Sequence, residues 1–115
     1  MPVALFIPLV PLVAVLLYAF VLFDRLLRAE YEDQRQIWEA DGRPRGYFWR
    51  PAECSAFDFL GQFARVRLSI AWLFRTPSWI AESGPYKVSL RRHRVAVLVW
   101  NVGVLVWFVF FLRFT

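Results

Sequence analysis

The sequence predicts an all-α membrane protein, a two-transmembrane-helix hairpin with a helical, partly amphipathic cytoplasmic segment between the spans. Three observations predict it. Hydrophobic residues make up 59% of the 115 positions and aromatics 19%, high for a soluble domain. The charges are segregated: thirteen of the fourteen Lys and Arg, and all nine Asp and Glu, fall between Asp24 and Arg94, leaving Arg113 outside. Each of the two apolar ends is long enough to cross a bilayer.

The first apolar stretch runs from Val3 to Phe23 without a charge. At ~1.5 Å per residue it spans roughly 30 Å, the thickness of a hydrocarbon core. A cleaved signal peptide would show a basic start and a shorter apolar run. No Lys or Arg precedes this run, so an uncleaved span is expected. Pro8 and Pro11 fall in its first third, where they loosen a helix and free carbonyls that need other partners.

The second span is Val95–Leu112, with Trp100 and Trp107 within it. Arg25 and Arg28 follow the first span, and Arg91, Arg92 and Arg94 precede the second. Cationic residues beside span ends stay in the cytoplasm, which places loop 24–94 inside and both termini outside. These arginines, with Trp100 and Trp107, are the expected membrane anchors.

Past Phe23 the pattern becomes amphipathic, with Leu26, Leu27, Tyr31, Ile37 and Trp38 recurring near helical spacing among charges. The first helix is therefore expected to run on to about Ala40, where Asp41-Gly42-Arg43-Pro44 stops it. Tyr47-Phe48-Trp49-Arg50 then forms an aromatic turn, expected to touch the membrane or a partner. Ser55 and Asp58 have the spacing of a capping box, opening a helix from about Ala56 to Phe74. Its apolar positions Phe59, Leu60, Phe63, Val66, Ile70, Leu73 and Phe74 repeat at three or four, as in an interfacial helix. Thr76-Pro77 reads as the cap and first residue of a short helix that ends at Gly84-Pro85. The chain thus divides at 1–23, 24–40, 41–55, 56–75, 76–93 and 94–115.

Candidate chemistry is sparse. His93, the single histidine, could give a haem one axial ligand in a homodimer, but its place among Arg91–Arg94 suits a plain anchor better. Cys54 has no histidine near it in sequence, and nucleophilic catalysis needs a thiolate and a base. Glu30, Glu32 and Asp33 spread around a helix where Arg28 and Arg35 can pair with them, so a solvated face is expected instead of a metal site. Asn101 is the one strongly polar side chain inside a span, and an intramembrane amide needs a partner on the first span or another protein. No phosphate loop, metal cluster or Ser/His/Asp set is present. Of the net charge of +5, all but the contribution of Arg113 sits in the loop, so nucleic acid is not an expected partner.

The layout, with Trp38-Glu39-Ala40-Asp41-Gly42-Arg43-Pro44, an aromatic turn and an Arg-rich approach to the last span, resembles small bacterial two-span proteins including universal stress protein B. The resemblance implies a bacterial inner membrane and a non-enzymatic role. This chain departs from them in being richer in Trp and Phe. The expected function is a non-catalytic accessory or assembly subunit, with no cofactor, contacting other integral membrane subunits through Tyr47, Phe48, Trp49, Arg50 and Asn101. The rivals are a free-standing factor binding anionic lipid headgroups and, behind it, a cofactor-binding homodimer through His93.

Overall fold

The computed structural model describes residues 3–52 and 58–114, and every regular element among them is helical. A short 3-10 turn, Val3–Phe6, leads into α1 (Leu9–Asp33). Then come α2 (Arg35–Ala40), α3 (Phe59–Phe74), α4 (Ser78–Ala81) and α5 (Gly84–Arg113).

Two of these stretches, Val3–Asp33 and Gly84–Arg113, are long and apolar enough to cross a membrane. The rest of the protein covers only 11% and 6% of their apolar windows, too little for core helices of a soluble domain. They lie side by side in opposite directions. Trp107 Nε1 donates to Leu5 O at 2.7 Å, and His93 Nδ1 bonds Ala19 O at 2.8 Å. The two bonds stand fourteen residues apart on both helices, so the register does not slip between them.

The prolines explain the upper bond. Without an N–H at 8 and 11, the first turn cannot close as an α-helix. Ile7 instead bonds Ala4 O, and regular helix begins only at Leu9. The Trp107 indole reaches across to Leu5 O in wholly apolar surroundings, between Phe6 and Phe111.

The hydrophobic core lies at the other end. Phe23, Leu26, Leu27, Ala29, Trp38, Leu68, Trp72, Trp79, Ile80 and Leu90 form one cluster, drawn from all five helices. The chain between α1 and α5 folds back onto their inner ends to make it. The first helix does continue past Phe23, but Gln34 breaks it at φ −130°, ψ 52°, and the restarted α2 ends at Ala40. Gly42 takes φ 95°, and the Arg43 and Gly42 N–H groups bond Trp38 O and Glu39 O. That paired C-cap turns the chain back over α1.

Two helix starts differ from the sequence expectation. α3 begins at Phe59 because Asp58 itself is the cap, its carboxylate accepting from Gly61 N at 3.0 Å. The expected Ser55 cap and Ala56 start lie outside the described residues. Thr76 does not cap α4: Pro77 stands at that position, and the Thr76 hydroxyl accepts from Arg94 Nη2 at 3.0 Å. α5 begins at Gly84, capped by Ser83 with Pro85 in its first turn.

Candidate functional site

The aromatic turn is held from beneath by one side chain. The Asp24 carboxylate accepts from the backbone N–H groups of Tyr47, Phe48 and Trp49 at 2.7, 2.6 and 2.9 Å. Three convergent donors fix the turn to the end of the apolar half of α1. The turn then sorts its aromatic residues. Tyr47 stacks on Phe20 at 3.9 Å, bonds Ser69 through its hydroxyl and lies beneath the Arg65 guanidinium. Trp49 packs edge-on against Tyr31. Phe48 and Arg50 remain exposed. Of the four contact residues expected in this turn, two are therefore largely spent on internal packing.

Besides Asp24, two ionisable groups are buried at the loop end. The Glu30 side chain is fully buried, contrary to the solvated face expected for Glu30, Glu32 and Asp33. Folding of α2 over α1 covers it, whereas Glu32 stays outside and pairs with Arg28 at 3.0 Å. The Asp41 carboxyl and the Trp79 indole N–H face Glu30 without closing a well-formed hydrogen bond. Burial, and then Asp41, push the Glu30 carboxyl well above the usual range, so it holds its proton at neutral pH. His93 is buried against Phe23 and bonded to Ala19 O. Donating Nδ1–H to a helix carbonyl, the ring is a strut between α1 and α5, not an exposed anchor.

The described residues hold no group of three or more His, Cys, Asp or Glu that could bind a metal. Cys54 lies outside the described residues. What the protein does present is apolar surface. On α3, Gly61, Ala64, Leu68 and Trp72 face the core. The apolar stripe faces outward: Phe59, Leu60, Phe63 and Phe74 are 68%, 79%, 75% and 84% exposed. The two basic side chains of α3 turn toward the fold, Arg65 toward Gly46 O at 3.4 Å and Arg67 to Asp41 O at 3.0 Å.

Among protein-family models, curated proteins and solved structures, nothing matches this chain. Function must be argued from the surface itself.

Asn101 is exposed on α5 and does not face the first apolar helix. Its Nδ2 donates to Val97 O, one turn earlier on its own helix, at 2.7 Å. Of the expected anchors, Arg25, Arg28, Arg91 and Arg92 are exposed at the loop end, and Trp100 is half-buried on α5. Arg94 is drawn inward, with Nε on Trp72 O at 2.8 Å, and Trp107 is the interhelical bond described above. The outward face of α3, with Phe48 beside the span, is the feature that asks for a function.

Proposed function

We propose that this chain is a two-span protein of a bacterial inner membrane and a non-catalytic accessory or assembly subunit of a larger complex there. The apolar parts of α1 and α5, within 3–23 and 95–112, form the transmembrane hairpin, with loop 24–94 cytoplasmic and both termini outside. The middle segment is a rigid brace that presents the outward face of α3 to a neighbouring subunit.

One observation carries this reading: Phe59, Leu60, Phe63 and Phe74 are exposed on a helix whose other side is firmly packed. A monomer in water does not keep such a patch uncovered. Aromatic residues at the centre of a patch, supported by a fixed backbone, have the composition of a protein contact. The two arginines within α3 each direct a guanidinium N–H to a backbone carbonyl of the fold, with Arg67 still exposed. That counts against the rival in which α3 binds anionic lipid.

The rival keeps one support of its own. Arg25, Arg91 and Arg92 form an exposed basic collar at the loop end of the helices. Such a collar meets an anionic leaflet whether or not α3 does.

Purification in mild detergent from native membranes, sized on a native gel and identified by mass spectrometry, tests the proposal. A stoichiometric complex is expected, and Phe59→Ser with Phe63→Ser should leave it while remaining in the membrane fraction. A double variant that stays in the complex overturns the role of α3. A solitary wild-type chain overturns the accessory-subunit reading altogether.

A further inference from the structure

The outer flank of α5 carries a second pattern. Leu98, Asn101, Leu105, Phe108 and Leu112 are spaced three, four, three and four residues apart. A spacing that averages 3.5 keeps one seam facing a parallel helix along its length. All five side chains are exposed. The neighbour α1 takes other positions of α5, among them His93, Gly103 and Trp107. The seam is therefore free of the protein's own packing.

Asn101 gives the seam its register. The midpoint of the apolar stretch 3–23 is residue 13, and a methyl added at Gly103 would run into the side chain of Leu12. Asn101, two residues from Gly103, thus lies near mid-depth of the paired helices. Bonding to Val97 O satisfies one of its N–H groups and leaves the second N–H and Oδ1 outward. In hydrocarbon an amide left so is costly unless a neighbour answers it.

From this we infer that α5 is the interface of a parallel homodimer, with the Asn101 carboxamides of two copies bonded to each other across a two-fold axis. The occupant is a second copy because the geometry supplies the match without further conditions. Copies inserted with one topology place Asn101 at one depth and pointing at one another. Each N–H then meets the other copy's Oδ1, and Leu98, Leu105 and Leu112 pair above and below. A different protein would need its own polar residue at that depth. The seam ends at Leu98, where Arg94 reaches away to Trp72 O and Thr76, so the two helices part toward the loop end. This inference rests on the two-span reading and is independent of the α3 surface.

The test uses the full-length chain in native membranes, with Cys54→Ser removing the lone cysteine. Single cysteines replace Leu98 or Leu105 on the seam, and Val99 or Val106 on exposed positions of the other flank. Oxidation is expected to give dimer at 98 and 105 at least about fivefold above that at 99 and 106. In the same membranes Asn101→Leu should weaken dimerisation roughly threefold to tenfold, and Asn101→Gln should retain it. Equal cross-linking on both flanks, or dimer indifferent to Asn101→Leu, overturns the inference. Cross-links from 98 and 105 to a different protein overturn it too and assign the seam to a heterologous helix. Carbonate extraction of the same samples reads out membrane insertion separately, so failure of the two-span reading is distinguishable.

Discussion

Asp24 and Gly46 are in such close approach that a Cβ at 46 would stand 2.5 Å from Asp24 Oδ1. The carboxylate occupies the space a side chain would need and uses it to collect three backbone N–H groups. Buried donors around a charge leave little freedom on either side. The turn, its aromatic residues and the α3 helix they touch are thereby fixed to the end of the apolar half of α1.

Asp24→Asn should release that turn. An amide can present only one acceptor oxygen to three donors, and its own NH2 faces N–H groups. A loss of about 2–3 kcal/mol is expected, from hydrogen bonds to a charged group left unmade. Gly46→Ala should act in the same direction by displacing the carboxylate. Thermal unfolding in detergent, with trypsin cleavage after Arg45 as a local probe, measures both; unchanged cleavage would refute the coupling.

Glu30 gives a pH dependence with a definite sign. The native state holds its proton through a range in which the unfolded chain, with an ordinary carboxyl near 4.5, has lost it. The contribution is therefore fully present below about pH 4.5. Above that it falls by about 1.4 kcal/mol per pH unit until the folded-state pKa is passed. Glu30→Gln keeps the shape without the ionisation, so it should flatten the curve and raise stability at pH 8 by roughly 4–5 kcal/mol. Melting temperatures of both proteins from pH 5 to 8.5 decide it.

Gly103 lets α5 approach Leu12 of α1. Small residues permit close backbone contact where the hydrophobic effect contributes little between helices. Gly103→Val should force the two apart at mid-length and cost roughly 1–3 kcal/mol, as overpacking does. Thermal unfolding of the variant in detergent, set against the unsubstituted chain, measures the loss, and an unchanged midpoint would refute the close packing at Gly103.

The topology has its own test. With loop 24–94 cytoplasmic, alkaline phosphatase fused after Thr115 should be active and a fluorescent protein at the same point dark. A fusion near Ala52 should show the reverse. The opposite pattern would show that Arg113 outweighs the collar of Arg25, Arg91 and Arg92.

Much of this was legible along the chain. Length and absence of charge mark the two apolar helices, because no other arrangement satisfies so many apolar residues in sequence. The stop at Gly42 was legible because glycine takes a left-handed cap without steric cost and Pro44, two residues on, cannot continue a helix. The periodicity of α3 was legible as well, but not its direction. Its exposed side is the larger apolar stripe, while the core takes Gly61, Ala64, Leu68 and Trp72, whose small members let the helix lie close. Periodicity identifies a face and is silent on which neighbour covers it.

What the sequence determined by itself is one-dimensional: where charge stops, how long each apolar run is, and where the backbone must turn. The tertiary structure decided every pairing across distance. Asp24 collects N–H groups more than twenty residues away, His93 reaches Ala19, and Glu30 is closed over by Asp41 and Trp79. These depend on how the middle segment folds back over α1 and α5. The reason is physical: a lone charged or polar residue has several affordable environments, and only the neighbours brought to it in three dimensions select among them.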